Sequence, residues 1–396
     1  MKIINASVYT EESRFVEKDI FIKGEYFADQ AGDTDMIDAG GCYGIPGLTD
    51  IHFHGCAGYD FCDGTQEALH AIAEYEASVG VTTMIPATMT LSYEELLKIC
   101  RQASVYRNRQ ERTEDEKNEA MFQTMKEAII CGINLEGPFV SGEKLGAQNP
   151  KYLREPDQSM FDRLQEEGAG LIKLVDLAPE LPGAMEFIRE NKDKTVISLA
   201  HTAADYDTAT EAFSAGANHV THLFNAMNPF GHRQPGVIGA AADAGAYAEL
   251  ICDGVHIHPS AVRGALKLFG EDKVIFISDS MMATGLSDGD YYLGGQPVKV
   301  VGRKAFLEDG TIAGSVTNLM ECMRRAVLEM QVPLETAVKC AAVNPAKHLG
   351  IYDKYGSISN GKVANLVLLD KETLKVKHVI LKGKVIFSVE KTGCFL

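Results

Sequence analysis

The chain has 396 residues, 45% of them hydrophobic, which is ample for a large core and too long for a minimal single domain. Its formal net charge of −17 argues against nucleic acid or an anionic membrane as partner, and an anionic small substrate would need a locally basic pocket. Nine scattered cysteines without CxxC spacing point to reduced thiols in a cytoplasmic protein, not to a disulfide frame or a structural zinc knot.

Met1 leads straight into strand-like Lys2-Ile3-Ile4-Asn5-Ala6, so no signal segment is read there. No apolar run approaches the ~20 residues of a membrane helix. Over residues 1–46, short alternating runs (Ile3-Ile4, Asp19-Ile20-Phe21-Ile22, Met36-Ile37-Asp38) are punctuated by Gly24, Gly32, Gly40 and Gly41. That pattern predicts a small antiparallel sheet.

The character changes at Ile45-Pro46-Gly47. Eight apolar strand candidates follow: Leu48 to Phe53, Val81 to Pro86, Cys131 to Glu136, Leu171 to Leu177, Val196 to Ala200, His219 to Leu223, Ala248 to Cys252, and Val274 to Ser278. Helical stretches fall between several of them, at Gln66 to Ser78, Ser92 to Val105, Asp205 to Ala215 and Ser260 to Phe269. Arg107 to Lys126 reads as a charged, solvated helix. Strands alternating with helices predict an α/β fold, a (β/α)8 TIM-like barrel over 47–350. A doubly wound open sheet is the competing architecture, and no GxGxxG turn after the first strand supports it. Tyr291 to Leu307 reads as a hairpin inserted after the last strand, with helices at about Val316 to Met330 and Leu334 to Ala342. Strand character returns at Ala364 to Asp370, Val376 to Leu381 and Val385 to Phe387. Residues 1–46 and 351–396 are therefore expected to share one small β domain of sandwich type.

The polar chemistry sits at strand ends. His52 and His54 end the first strand, and alternation along a strand puts both on one face. Glu136 ends the third strand, His201 the fifth, His222 the sixth and Asp279 the eighth. Taken singly, Glu136 reads equally as a helix-capping acid, His201 as a core histidine, and Asp279 as an N-cap before Met281. Jointly they converge on the carboxyl-terminal face of a barrel, and His with carboxylate donors suits zinc, iron, cobalt or manganese.

This pattern resembles the amidohydrolase superfamily, with its HxH, later single histidines and final Asp. Asn344-Pro345-Ala346-Lys347-His348-Leu349-Gly350 and Gly361-Lys362-Val363-Ala364-Asn365-Leu366-Val367 are similar to its C-terminal signature. Within it, the chain is most similar to the N-acetylglucosamine-6-phosphate deacetylase family. The carrying motifs are Leu135-Glu136-Gly137-Pro138-Phe139, Ala178-Pro179-Glu180, Ala200-His201-Thr202, His222-Leu223-Phe224-Asn225-Ala226-Met227, Asp253-Gly254-Val255-His256 and Ser278-Asp279.

The resemblance implies hydrolysis of the acetamide of N-acetylglucosamine 6-phosphate by a metal-dependent enzyme of amino-sugar catabolism. It implies Glu136, His201 and His222 as principal metal ligands, and His52 and His54 as ligands of a second ion bridged by Glu136. One or two divalent ions are expected, zinc first. Asp279 is the implied acid/base and a further implied metal ligand, and Asn225, Ala226, Arg233 and His256 the implied phosphate site. Because Arg233 resembles an arginine that reaches into a neighbouring subunit, a homodimer is expected. Where the family often has a His that hydrogen-bonds the amide carbonyl, this chain has Gln148, which can donate an N–H but cannot become a charged donor. Lys173 is expected to be structural, since Glu136 fills the bridging role. Cys56 and Cys62 are expected near the pocket or incidental to it, and Asp309 to Ser315 resembles the family's loop near the sugar. The competing readings are another amidohydrolase (an N-acyl-amino-acid deacylase, a cyclic amidohydrolase or a deaminase) and a noncatalytic barrel scaffold.

Overall fold

The computed structural model describes residues 1–30, 35–111 and 126–389. The eight expected barrel strands are present, most of them shorter than their apolar runs: β1 Leu48–Asp50, β2 Val81–Met84, β3 Ile133–Glu136, β4 Ile172–Leu177, β5 Val196–Leu199, β6 His219–Val220, β7 Tyr247–Ile251 and β8 Val274–Ile277. β1 pairs parallel with β2. β3 through β8 pair parallel in sequence order. A parallel bridge between Ala87 and Asn134 joins β2 to β3. Past the ends of β8 and β1, the Asp279 N–H donates to His52 O (2.9 Å) and the His54 N–H to Ser280 O (2.7 Å), which closes the ring. Strands buried on both faces read as continuous apolar runs, which is why their existence is legible but their ends are not.

Helices cover the outside. Gln66–Ser78 buries Ala68, Leu69, Ile72, Ala73, Glu76 and Ala77, a stripe at helical spacing, and the Thr65 side chain accepts the Ala68 N–H as its N-cap. The helix expected over Ser92 to Val105 runs Tyr93–Glu111 and takes in the start of the charged segment; the rest of that segment, residues 112–125, lies outside the described residues. The hairpin expected over Tyr291 to Leu307 is three antiparallel strands, Gly289–Leu293, Gln296–Val301 and Lys304–Phe306.

The sequence around both ends of the chain meets in one 8-stranded sheet. Its order is Lys384–Ser388, Val376–Leu381, Leu366–Asp370, Cys42–Pro46, Lys2–Tyr9, Phe15–Lys23 and Tyr26–Ala28, with Met36–Asp38 also beside Lys2–Tyr9. The sheet is mixed, not antiparallel as expected over 1–46. Lys2–Tyr9 pairs parallel with both Met36–Asp38 and Cys42–Pro46. A tight hairpin makes neighbours antiparallel, but a chain returning after two hairpin strands lies parallel to the first. The sheet has a hydrophobic cluster of its own, including Ile3, Val8, Ile20, Phe27, Leu366 and Ile380. One residue, Gly47, separates Pro46 from β1, and a Cβ there would collide with the Thr82 side chain.

Candidate active site and metal centre

Each chemistry-bearing side chain leaves the barrel at the same end. Glu136 is the last residue of β3. His201, His222 and Asp279 each follow their strand by two residues, with φ of +42°, +30° and +49°. Left-handed backbone is unfavourable for residues with a Cβ and persists only where surrounding contacts impose it. Here it turns each strand sharply as it exits, so the side chain points back over the barrel mouth. Glu180 braces the turn after His201, accepting the Thr202 hydroxyl (2.5 Å) and the Ala203 N–H (2.6 Å). Gly137 has φ +82° and no room for a Cβ beside Thr90, which accounts for the glycine after Glu136. Regular pairing of β1 stops at Asp50, so strand alternation does not itself align His52 and His54. They nevertheless lie side by side, ring centroids 5.5 Å apart.

Glu136 is the common partner. His201 Nε2 and His222 Nε2 lie 3.0 and 3.2 Å from its Oε1, and 3.1 Å from each other. His54 Nε2 lies 3.3 Å from its Oε2 and His52 Nε2 3.5 Å from its Oε1. Two donor groups result, His52/His54/Glu136 and Glu136/His201/His222, each with ligand atoms within 4.8 Å of one another. All five side chains are buried.

The donor chemistry fits a cation. A backbone carbonyl only accepts, so the contact of His201 Nδ1 with Lys144 O (2.9 Å) places a hydrogen on Nδ1 and leaves Nε2 as a lone pair aimed at Glu136. His52 is oriented in the same way by Glu249, at 3.0 Å from Nδ1. Lone pairs facing a carboxylate need a positive charge between them. His52 Nε2 and Glu136 Oε2 are buried without a hydrogen-bond partner, as a ligand pair would be. In the protein alone, protons serve instead. Burial opposes charge on His52, but Glu249 and Glu136 outweigh it and push its pKa well above the imidazole range. Burial likewise opposes ionisation of Glu136, yet the His52 charge and the imidazoles of His201 and His222 facing it hold its carboxyl well below the usual range. The residues therefore suit a divalent metal ion.

Asp279 Oδ1 stands 3.2 Å from His54 Nε2 and 3.7 Å from His52 Nε2. Burial raises its pKa, but the hydrogen bond from His54 and the charges of His52, His54 and His256 leave it below the ordinary aspartate value. His256 Nδ1 is held by Asp253 Oδ2 at 2.8 Å, and against the opposing effect of burial this raises its pKa. Gln148 is pinned as well: the Thr90 N–H donates to its Oε1 at 2.7 Å, so its Nε2 is the end turned away from Thr90, 3.8 Å from Met89 Sδ.

A cavity of about 260 Å³ brings these residues together. Its walls include His54, Glu136, Gln148, His201, His222, Asn225, Ala226, His256 and Asp279. Thr311, Ile312 and Gly314 from the expected sugar loop also line it. Asn225 Nδ2 donates to the carbonyls of His222 (3.1 Å) and Leu223 (3.3 Å), so its side-chain amide braces the turn that carries Ala226. Arg233 is exposed and does not line the cavity. Lys173 and both Cys56 and Cys62 also lie outside its walls, and His258 caps the helix Pro259–Phe269. Sequence reasoning missed Met89 and Leu293 on the walls, Thr90 behind Gln148, and Glu249 behind His52. A signal existed only for Glu249, an acid in the middle of an apolar strand.

Comparison with known proteins gives concordant findings. A family model described as "Amidohydrolase family" matches residues 43–386. The N-acetylglucosamine-6-phosphate deacetylase of Bacillus subtilis (strain 168) is 39% identical over 345 residues, covering 87% of this chain and 84% of that protein. The N-acetylgalactosamine-6-phosphate deacetylase of Escherichia coli O157:H7 is 32% identical over 341 residues, 86% of each. Among solved structures, a mutant N-acetyl-D-glucosamine-6-phosphate deacetylase from Mycobacterium smegmatis, in complex with N-acetyl-D-glucosamine-6-phosphate, superposes with a TM-score of 0.88 at 30% identity, covering 98% of this chain and 99% of that one.

Proposed function

The chain belongs to the amidohydrolase family, and from that premise we propose that it hydrolyses the acetamide of N-acetylglucosamine 6-phosphate, giving glucosamine 6-phosphate and acetate. The observation that carries the reading is the pair of buried donor groups sharing Glu136, with Asp279 beside them on the wall of one cavity. Glu136, His201 and His222 would hold one divalent ion, and His52 and His54 with Glu136 would hold a second; zinc is the first candidate, then iron, cobalt or manganese. Bound there, the metal supplies Lewis acidity, lowering the pKa of water and polarising the acetyl carbonyl.

The chain's own residues do the rest. Asp279, ionised at neutral pH, takes the proton from the attacking water and returns it to the departing amine. Gln148, its amide fixed by Thr90, donates Nε2–H to the acetyl oxygen as charge develops there. His256, held by Asp253, and the Asn225–Ala226 turn meet the phosphate. Arg233 is exposed in its own chain, and its fork of donors suits phosphate, so it serves the site of a second copy; the active form is a homodimer. Among the described residues no helix is long and apolar enough to cross a membrane, and with the cysteine pattern we place the enzyme in the cytoplasm. We also propose residues 1–46 and 351–396 as one small β domain on a catalytic barrel of 47–350.

Acetate release, with metal content measured on the same sample, tests the reading. We expect N-acetylglucosamine 6-phosphate to react far faster than N-acetylglucosamine, and its 4-epimer to rank the sugars. Equal rates with and without phosphate favour another amidohydrolase, and metal-free, inert protein favours a scaffold.

A further inference from the structure

Behind the centre stands a carboxylate that takes no part in this reaction scheme. Glu249 is the middle residue of β7 and is fully buried. An acid in an apolar strand is tolerated only when its charge is matched. Its Oε2 lies 3.0 Å from His52 Nδ1 and also accepts the main-chain N–H of His222 at 3.1 Å. Its Oε1 lies 3.6 Å from His219 Nε2. One oxygen thus touches a ring of the first donor group and the backbone of the second.

Both contacts have consequences. A carboxylate beside Nδ1 keeps the hydrogen on that nitrogen, so Nε2 is the nitrogen of His52 left facing Glu136 and Asp279 to meet a cation. The bond to the His222 N–H holds a backbone that lies at φ +30°, outside the range its side chain prefers. The main-chain carbonyl of Glu249 accepts the Leu223 N–H at 2.9 Å, extending the same support by one residue. We propose that Glu249 is the positioning residue that makes His52 a metal ligand. The proposal rests on the reading of His52, His54 and Glu136 as a metal position.

Full-length wild type, Glu249→Gln, His52→Ala and the double variant are reloaded with zinc and dialysed against graded chelator, and bound metal is counted. Wild type should hold two ions per chain. Glu249→Gln should release one of them at a zinc activity roughly 10–100-fold higher than wild type needs, and keep the other. It should lower kcat with little change in KM. In the His52→Ala background, where that ion is already lost, Glu249→Gln should add nothing. Two ions held as tightly by Glu249→Gln as by wild type would overturn the proposal and leave the metal reading standing. A further loss in the His52→Ala background would also overturn it. Wild type that never holds a second ion overturns both. If circular dichroism shows Glu249→Gln unfolded, Glu249→Asp, which keeps the charge but shortens its reach, carries the same expectations. Failure of both variants to fold overturns the proposal in favour of a purely structural acid.

Discussion

Asp279 combines a proton-accepting carboxylate with a left-handed backbone, so its asparagine variant keeps the shape and removes only the base. We expect Asp279→Asn to retain bound metal and lose roughly 10²–10⁴-fold in kcat; near-normal acetate release would end the assignment. A second residue-scale expectation concerns stability. His348 is half-buried, its ring packed against those of His219 and Tyr247, and its desolvation, with the Lys273 charge, lowers its pKa to about 3. The folded state therefore binds fewer protons than the unfolded one between about 6.5 and 3. This contribution is complete above about pH 6.5 and is lost as pH falls, at about 1.4 kcal/mol per pH unit. Denaturation midpoints measured from pH 6.5 to 4 should fall less steeply for His348→Gln than for wild type. The residue types of the site were legible because histidines and acids at the ends of apolar runs are rare. The details were not: which nitrogen of His52 carries a hydrogen depends on Glu249, and the orientation of Gln148 on Thr90, both far away in sequence.

At the scale of elements, strand number and order could be read from apolar runs, but the boundaries could not, because the runs continue into turns that carry His201, His222 and Asp279. The expected helix Leu334 to Ala342 also differs. It runs Leu334–Val338, widens into a π turn over Lys339–Val343, and continues as Asn344–His348. Pro345 lacks an N–H, and a wide turn accommodates the missing bond without ending the helix. The turn brings Asn344 Nδ2 within 2.7 Å of two carbonyls at the start of β8, those of Glu271 and Val274. That gives the Asn-Pro-Ala sequence a mechanical role. Asn344→Ala should cost about 1–3 kcal/mol for each carbonyl orphaned, read as a melting temperature several degrees lower. An unchanged melting temperature would show that water replaces both bonds.

For the whole molecule, the barrel followed from the alternation of elements, whereas the mixed pairing of the small sheet depends on return paths that local pattern does not encode. Subunit pairing belongs to this scale too. If Arg233 serves a second copy, co-expressed Arg233→Ala and Asp279→Asn chains should form mixed dimers in which one site has an intact Asp279 and a partner's arginine. Such mixtures should recover activity that neither parent has; no recovery would place Arg233 in its own chain's site or in none. The sheet also bears on how the protein is made. Cys42–Pro46 lies between Lys2–Tyr9 and Leu366–Asp370, so it must wait for a partner translated about 320 residues later. At about 5–20 residues per second the wait is on the order of tens of seconds. Meanwhile Ile3, Val8, Ile20 and Phe27 lack the part of their core that Ala364, Leu366, Leu368 and Ile380 supply, and have an open strand edge. During that wait the strands Lys2–Tyr9 to Cys42–Pro46 are the ones exposed to aggregation, and a chaperone that holds nascent chains would be expected to bind them until Leu366–Ser388 has left the ribosome.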